Sequence, residues 1–319
     1  MRYAKILGTG SFLPSKVLTN QDLEKIVETS DEWIVSRTGI KERRVADEHE
    51  SVASMGIEAG KVALESSGID KNKIQLLVLA TTAADRLCPS MAVKIQNELG
   101  LPVCIALDIN AACSGFNYAL NVVEQYIKSG TVDYALLIAS EAMTRLVDWN
   151  DRSTCVLFGD GAGAIVLGAS DKPGIHTTIV GADGQYESLL YVQTSPVESG
   201  KGVQNSVQMQ GNEVFKLAVI KLGQLVSETL EKCGMTQNDV DWLIPHQANL
   251  RIIQAVAKRL ELKNEQVIIT LDKQGNTSAA SIPIALDIAI RDGRIKRGDV
   301  LLFESFGAGF VWGSALVTY

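Results

Sequence analysis

The sequence ESSGIDKNKIQLLV at residues 65–78 is matched 166 residues later by EKCGMTQNDVDWLI at residues 231–244. In each copy a helical segment meets a glycine, Gly68 or Gly234, and a short polar turn leads into an apolar strand. Glycine is common just beyond a helix C-terminus because it adopts the left-handed conformation without steric cost. The repeat therefore predicts two copies of one helix–turn–strand unit, related by a pseudo-twofold axis.

The two copies continue to correspond further along the chain. The matching pairs are ALD (106–108) with TLD (270–272), DYALL (133–137) with DVLL (299–302), and the glycine turns FGDGAGAIVL (158–167) with FGAGFVWGSALV (306–317). Strands that alternate with helices predict largely parallel sheets covered by helices. We therefore predict an α/β protein with two duplicated halves, residues 1–172 and 173–319, and a site between them.

Two segments have no counterpart in the other half. Residues 19–47 form an insertion in which Thr29 and Glu32 have capping-box spacing, so a helix is expected to start there and to end at Gly39. Residues 193–212 are rich in Ser, Gly, Gln and Asn and are expected to form a long loop. Such a loop is either a cover over a site or a flexible tip, and the sequence favours neither.

The composition excludes several classes of protein. With 319 residues and 46% apolar side chains the chain can bury a large core, but its apolar runs are far shorter than the ~20 residues that a membrane-spanning helix requires. Gly8, Gly10 and Pro14 interrupt any signal-peptide core, so we predict a cytoplasmic protein. A net charge of −7 argues against nucleic-acid binding. Five cysteines without a CxxC pair argue against a disulfide framework and a metal site.

Cys113 lies in the sequence DINAACSGF, where an apolar strand gives way through small residues to a predicted helix. Backbone N–H groups and the dipole at such a helix terminus favour the thiolate, which is the reactive form of cysteine. The small neighbours leave room for an acyl group. The alternative is a buried structural thiol, an interpretation that suits Cys104, Cys155 and Cys233.

Two polar residues of the second half occupy comparable turns. His246, in the sequence IPHQAN, follows an apolar strand and precedes an amphipathic helix. Asn276, in GNTSAAS, falls one residue before the counterpart of Cys113 when Asp108 is aligned with Asp272. Because ligands gather at the carboxyl ends of strands in α/β folds, the duplication predicts one shared site for these three residues. Taken singly, a structural histidine and an ordinary turn asparagine are the alternatives.

Together these motifs resemble the β-ketoacyl-acyl carrier protein synthase III family of the thiolase superfamily, and the resemblance runs from end to end. The motifs that carry it are AACSGF (111–116), GDGAG (159–163), PHQAN (245–249), GNTSA (275–279) and WGSA (312–315). Related elongating synthases use a cysteine with two histidines, and thiolases use a second cysteine near the C-terminus. Here His49 and His176 lie outside any matching loop, and no cysteine follows Cys233. The resemblance therefore implies the Cys-His-Asn group, with a thiolase-like αβαβα core.

The activity implied by this resemblance is a decarboxylative carbon–carbon bond-forming acyl transfer that initiates fatty acid synthesis. Cys113 would take an acyl group from a short acyl-CoA, with acetyl-CoA as the expected primer. Malonyl-acyl carrier protein would then lose CO2, and the enolate would attack acyl-Cys113 to give 3-oxoacyl-acyl carrier protein. His246 and Asn276 are the implied neutral donors to the enolate oxygen. Backbone N–H groups of Cys113 and Ala308 are the implied second set of donors, although the family usually has glycine at position 308.

Substrate binding and assembly are also implied by the resemblance. The implied CoA-binding residues are Trp33, Arg37, Arg152, Asn212, Phe215 and Asn249, of which the indole and guanidinium groups suit purine stacking. Carrier proteins are acidic, so a basic landing site is expected, formed by Lys216, Arg251, Lys258 and Arg259. Cys88 corresponds to a position that reaches into the partner's acyl pocket in some relatives, so a homodimer is expected. No cofactor is implied, since acyl-CoA is a substrate. For each residue, core packing or a solvated charged surface is the alternative.

Three other functions fit parts of the pattern. A condensing enzyme of secondary metabolism would share the Cys-His-Asn set and differ in its substrates. A non-catalytic module that binds CoA or a carrier protein is disfavoured, because all three reactive positions are filled. A thioester hydrolase is disfavoured, because no acidic residue beside His246 makes it an evident base for water.

Overall fold

The computed structural model describes residues 2–193 and 206–319, and two β-sheets organise it. The strands in chain order are β1 (Tyr3–Phe12), β2 (Val17–Thr19), β3 (Glu42–Arg44), β4 (Leu76–Ala80), β5 (Ile105–Ile109), β6 (Tyr134–Ala142), β7 (Asp160–Ser170), β8 (Ile175–Ala182), β9 (Leu190–Val192), β10 (Val207–Met209), β11 (Trp242–Pro245), β12 (Val300–Gly307) and β13 (Val311–Thr318). The helices are α1 (Asn20–Leu23), α2 (Asp31–Thr38), α3 (Val52–Ser67), α4 (Met91–Glu98), α5 (Gly115–Lys128), α6 (Gly211–Cys233), α7 (Leu250–Arg259), α8 (Leu271–Gln274) and α9 (Ser281–Arg291).

The two main sheets have the same strand order. In the first sheet the order is β1-β7-β6-β4-β5, and in the second it is β8-β13-β12-β11. The pairs β4 with β5, β4 with β6 and β11 with β12 are parallel, whereas the pairs that involve β7 or β13 are antiparallel. Only a single parallel bridge, from Val267 to Leu243, stands where the second sheet would have a counterpart of β5. The predicted match of residues 106–108 with 270–272 is therefore wrong as a structural match, because Asp108 lies in β5 and Asp272 in α8.

The helices lie in three layers around these sheets. Helices α5 and α9 pack between them, and Phe116 and Ile284 belong to one core cluster with residues of both sheets. Helices α3 and α4 cover the outer face of the first sheet, and α6 and α7 cover the outer face of the second. Within β4, Val78 faces the central layer and Leu77 the outer one, as expected for a strand buried on both faces. The resulting layers confirm the predicted αβαβα core.

The two unmatched segments differ in part from their predictions. Helix α2 ends at Gly39 as predicted, but Ser30 and not Thr29 is its N-cap, since the Ser30 hydroxyl accepts the Trp33 N–H. Of the polar run 193–212, residues 194–205 lie outside the described residues. The remainder is not a loop, because it forms β10, paired with β9, and the start of α6. No helix in the described ranges combines the length and apolar character needed to cross a bilayer.

Candidate active site

The turn that carries Cys113 has a structural copy in the second half. Ala112–Ser114 and Ser278–Ala280 are 3₁₀ turns that lead into α5 and α9, and the 166-residue offset relates them. Ala112 and Ser278 have positive φ values of 44° and 49°. Two residues earlier in each half, an asparagine side-chain oxygen accepts the backbone N–H of that residue, at 3.2 Å for Asn110 and 2.8 Å for Asn276.

This geometry corrects the alignment made from the sequence. Asn276 is the counterpart of Asn110, and the counterpart of Cys113 is Ala279. Asn276 therefore lies three residues before the position equivalent to the nucleophile, and not one. The error came from pairing Asp108 with Asp272, which have similar sequence neighbours but occupy a strand and a helix.

Asn276 is fixed by backbone hydrogen bonds to the neighbouring loop. Its N–H donates to Leu157 O at 2.8 Å, and its carbonyl accepts the Gly159 N–H at 3.1 Å. Because its side-chain oxygen already accepts the Ser278 N–H, the side-chain NH2 group remains available as a donor.

Arg43, which was not predicted from the sequence, lies against the residues that precede Asn276 and Leu157 in their two loops. Its side chain is fully buried, and it donates to Val156 O at 2.8 Å and to Asn20 Oδ1 at 2.9 Å. A Cβ placed on Gly275 would meet the Arg43 Cβ at 3.1 Å, so the arginine packs directly against the residue before Asn276. Burial lowers the pKa of Arg43 to about 10. Its position in an insertion with no repeat counterpart gave no signal of this role.

His246 follows β11 and is held by a serine of α9. Its Nδ1 lies 2.7 Å from Ser281 Oγ, which also accepts the Gln247 N–H at 3.3 Å. Burial lowers the pKa of His246 to about 4, so the imidazole is uncharged at neutral pH. With Nδ1 engaged, Nε2 is the ring nitrogen left for a ligand.

Cys113 is half-buried, and its surroundings differ from the expectation of a thiolate. Burial raises the pKa of the Cys113 thiol to about 12, a hydrogen bond from Ser278 lowers it, and the nearby Glu141 carboxyl raises it. Burial of the thiol thus opposes the thiolate that the helix terminus was expected to favour. Glu141, missed in the sequence, is itself buried, accepts the Thr82 N–H at 3.0 Å and has a pKa raised by burial to about 7.

The glycine turn after β12 lies against the nucleophile. A Cβ on Gly307 would approach the Cys113 backbone nitrogen to 2.8 Å, so only glycine allows this contact. Ala308 has no positive φ, since the non-glycine residues with that conformation in the described chain are Ala112, Glu261 and Ser278. An alanine at position 308 therefore fits the turn without backbone strain.

Cys113, His246 and Asn276 line one cavity of about 430 Å³, the larger cavity. Cys113 and Ala308 also line a second cavity of about 400 Å³, the smaller cavity. The nucleophile thus stands where the two cavities meet. Glu304 lines the larger cavity as well, with both carboxyl oxygens lacking a hydrogen-bond partner in the described chain. The sequence signal for it was an acidic residue inside the apolar run VLLFESF (300–306).

Most residues predicted to bind CoA lie around the larger cavity. Those in its lining are Trp33, Arg37, Asn212, Phe215 and Asn249. Arg152 is outside the lining, but its guanidinium carbon lies 5.0 Å from the centre of the Trp33 ring. Asn249 also has a structural task, because its amide donates to Arg37 O at 3.0 Å and its oxygen caps α7 at the Arg251 N–H.

The predicted basic residues divide into two groups. Arg251 lines the larger cavity and its guanidinium carbon lies 5.0 Å from the Phe215 ring centre. Lys216, which follows Phe215 in α6, is exposed, and its Nζ lies 2.8 Å from the Glu213 carboxylate. Lys258 and Arg259 are exposed in the last turn of α7 and line neither cavity.

Other titratable residues singled out in the sequence lie away from this site. His49 is exposed, and His176 Nε2 lies 2.7 Å from Thr318 Oγ1. Cys88 is exposed and lines neither cavity of its own chain. Of the cysteines predicted to be buried, only Cys155 is fully so, whereas Cys104 and Cys233 are half-buried. Within residues 2–193 and 206–319, no group of His, Cys, Asp and Glu is arranged to hold a metal ion.

Two family models match this chain. The model for 3-oxoacyl-acyl-carrier-protein synthase III matches residues 107–184, and the model for the C-terminal part of the same synthase matches residues 230–319. A protein of Vibrio vulnificus named beta-ketoacyl-acyl-carrier-protein synthase III 1 is 56% identical over 317 residues, which cover 99% of this chain and 100% of that protein. The chain belongs to the β-ketoacyl-acyl carrier protein synthase III family.

Solved structures agree with this family and its thiolase-like fold. The 3-oxoacyl-acyl-carrier-protein synthase III of Aquifex aeolicus is 46% identical, with a TM-score of 0.94 over 99% of this chain and 100% of that chain. A priming β-ketosynthase from a polyketide biosynthetic pathway is 36% identical, with a TM-score of 0.96 over 99% of this chain and 96% of that chain. The family's fold is therefore also used by an enzyme of secondary metabolism.

Proposed function

We propose that this chain condenses a short acyl-CoA primer with malonyl-acyl carrier protein, giving 3-oxoacyl-acyl carrier protein, CO2 and CoA, and so initiates fatty acid synthesis. The observation that carries the proposal is the single cavity lined by Cys113, His246 and Asn276. The name of the Vibrio vulnificus relative supports the same activity. A polyketide-type condensing enzyme is the second candidate, supported by the 36% identical priming ketosynthase, which is less similar.

Acylation is the first step. The Cys113 sulfur attacks the thioester carbonyl of the acyl-CoA, the bond to the CoA sulfur breaks, and the thiol proton leaves with CoA. The backbone N–H groups of Cys113 and Ala308 stabilise the oxyanion of this step in our proposal, which is supported by the position of Gly307, the residue before Ala308, against the Cys113 backbone nitrogen. The acyl chain then occupies the smaller cavity, which Cys113 and Ala308 both line.

Decarboxylation and condensation follow in the larger cavity. The malonyl thioester loses CO2, and the resulting enolate oxygen accepts hydrogen bonds from His246 Nε2 and the Asn276 side-chain amide. His246 is an uncharged donor in this role, with the Ser281 hydroxyl donating to Nδ1. The enolate carbon attacks the acyl carbonyl, Cys113 leaves as thiolate, and one proton from solvent restores the thiol.

The mouth of the larger cavity is suited to CoA and to a carrier protein. Trp33 and Arg152 offer an indole and a guanidinium face, which stack on an adenine ring, while Arg37 meets phosphate. Asn212, Phe215 and Asn249 contact the pantetheine arm. Arg251 and Lys216 begin a basic landing site that Lys258 and Arg259 extend along α7.

We also propose that the enzyme is a homodimer. Large apolar side chains are exposed in the loop before α4, at Leu87, in the connection from α4 to β5, at Val103, and at the start of the edge strand β5, at Ile105; Leu87 and Val103 are fully exposed and Ile105 partly so. Such an unpaired apolar edge is a common site of strand pairing between subunits. Cys88, beside Leu87 and outside both cavities of its own chain, would reach the smaller cavity of the partner. Within each subunit, we propose that the halves comprise residues 1–172 and 173–319; in support, this boundary lies in the connection from β7 to β8.

Mass spectrometry of the peptide that contains Cys113 tests the activity. The enzyme is exposed to acetyl-, isobutyryl- and octanoyl-CoA and then to malonyl-acyl carrier protein. We expect a short acyl group on Cys113 that disappears during the second step as 3-oxoacyl-acyl carrier protein forms. Acylation that malonyl-acyl carrier protein does not discharge would overturn the proposal, and discharge by a non-malonyl acceptor alone would favour the secondary-metabolism alternative.

A further inference from the structure

Glu304 stands out among the residues that line the larger cavity. It is the acidic residue of that lining, its side chain is fully buried, and neither carboxyl oxygen has a hydrogen-bond partner in the described part of the chain. It lies on β12, between Pro245 of β11 and Ser314 of β13. The lining residues that α6 and α7 contribute around it include Leu222, Ile253 and Val256.

A buried polar group without a partner is costly, so native proteins rarely retain one that has no task. Because Glu304 is one of the residues that line the cavity, a group that enters the cavity is the candidate partner for its buried carboxyl. Its backbone already belongs to the site, since the Glu304 carbonyl accepts the His246 N–H at 2.8 Å. Three residues later the same strand reaches Gly307, which lies against Cys113.

The charge state of Glu304 decides what it can do there. Burial raises the pKa of its carboxyl to about 8, so the group carries a proton at neutral pH. A protonated carboxyl is a hydrogen-bond donor without charge. An ionised one would place a negative charge in the cavity where an enolate has to form.

We propose that Glu304 is a third neutral hydrogen-bond donor of the larger cavity, which acts on the negative charge that forms there during decarboxylation. This inference deepens the proposed function and rests on it. A carboxylic acid kept neutral by an apolar site is a known form of oxyanion donor in other enzymes. Glu304 thereby joins His246 and Asn276, and all three donors come from the second half of the chain.

The other charged or titratable groups that face the cavity are few. Among the described lining residues they are His246 after β11, Cys113 before α5, Arg37 of α2 and Arg251 of α7, whereas α6 contributes uncharged side chains; the neighbour of Glu304 on β13 is the uncharged Ser314. Burial holds the pKa of His246 near 4 and that of Cys113 near 12, so neither changes charge close to neutral pH. Glu141, which is hydrogen-bonded to Ser278, has a pKa of about 7, so its ionisation is the other candidate cause of a pH dependence near neutral pH.

The test compares Glu304→Gln, Glu304→Leu and the control Glu124→Gln across neutral and alkaline pH, with separate assays for Cys113 acylation and malonyl-acyl carrier protein decarboxylation. Glu124 is also buried, but it pairs with Lys128 and Thr178 and lines neither cavity.

In the parent, we expect the rate of decarboxylation to fall as the pH rises through about 8. Glu304→Gln keeps a donor but cannot ionise, so it should stay within about threefold of the parent at neutral pH and lack this decline. Glu304→Leu should decarboxylate about 100-fold more slowly at neutral pH while acylation is preserved.

Two results would overturn the inference. One is decarboxylation by Glu304→Leu at the parent rate, and the other is an alkaline decline that persists in Glu304→Gln and disappears in Glu141→Gln. If Glu304→Leu does not fold, the pH profile of Glu304→Gln still decides between the two outcomes.

Stability gives a second measurement. The folded state holds the Glu304 proton more tightly than the unfolded state, so the free energy of unfolding of the parent should fall as the pH rises from about 4.5 to 8, and it should fall less in Glu304→Gln. Failure of the proposed function would instead appear as a parent enzyme that does not condense the two substrates.

Discussion

The two halves of the molecule have similar backbone folds but present different side chains to the cavity. The same 3₁₀ turn occurs in both, with positive φ at Ala112 and Ser278. In the first half the turn presents the Cys113 thiol, and in the second half the equivalent residue is Ala279 while Asn276, a few residues earlier, is buried beside the cavity. The comparison teaches that the two halves contain equivalent turns with different side chains, and the proposed function assigns acyl transfer to one turn and enolate stabilisation to the other.

The largest expected effect comes from the nucleophile. Cys113→Ala should lower condensation by at least about 1,000-fold, because no covalent acyl-enzyme forms. Malonyl-acyl carrier protein decarboxylation should persist, since its donors are in the other half. Moving the thiol to the equivalent turn, as Cys113→Ala with Ala279→Cys, should not restore activity, because Gly307 contacts position 113. Intact-protein mass spectrometry and CO2 release measure the two steps, and restored acylation at position 279 would show the turns to be interchangeable.

The paired asparagines provide the next comparison. Asn276→Ala should slow decarboxylation by about 100- to 1,000-fold, because it removes a donor from the enolate. Asn110→Ala removes the equivalent turn hydrogen bond, but Asn110 borders the smaller cavity, so any effect should fall on the use of acyl-CoA. Steady-state rates with each substrate varied in turn measure this crossover. Equal losses of the decarboxylation rate in both variants would mean that the rate depends on the geometry of the turns and not on the Asn276 side-chain donor.

Arg43 connects the insertion of the first half to the Asn276 loop of the second. Arg43→Met should lower condensation about 10- to 100-fold through misplacement of Asn276, with little change in Cys113 acylation. Leaving Val156 O and Asn20 Oδ1 unpaired should also cost about 1–3 kcal/mol of stability for each acceptor. Separate assays of the two steps, with urea unfolding, distinguish these effects. If acylation and condensation fell in parallel with stability, the role of Arg43 would be structural alone.

The smallest expected effect concerns the cap of α2, which has no counterpart in the second half. Ser30→Ala should lower the free energy of unfolding by about 1 kcal/mol, because the Ser30 hydroxyl accepts the Trp33 N–H. Thr29→Ala is the matched control and should change it much less. Urea unfolding of both variants measures the difference, and a larger effect at Thr29 would restore the capping box expected from the sequence.

The sequence predicted the duplication, the layers and the three side chains that line one cavity, because these depend on periodicity, glycine positions and short motifs. It placed the counterpart of Cys113 two residues away from where it lies, since β5 has no full counterpart and residues 270–272 only look like a strand end. It indicated a helix terminus that favours the Cys113 thiolate, but it did not show the burial that opposes this state, because burial depends on long-range packing. Arg43 and Ser281 were missed for the same reason, as their hydrogen-bond partners become visible only in the folded chain, and Glu304 was missed because its place in the cavity lining does.

Acylation of the His246→Ala variant most directly tests the proposal that the first half carries out acyl transfer and the second half stabilises the enolate. The variant is mixed with acetyl-CoA and then with malonyl-acyl carrier protein, and the Cys113 peptide is followed by mass spectrometry. We predict that Cys113 is acetylated at nearly the parent rate and that the acetyl group then remains in place, because the enolate is not stabilised. Loss of acetylation, or discharge of the acetyl group at the parent rate, would contradict the assignment of acyl transfer to the first half and enolate stabilisation to the second.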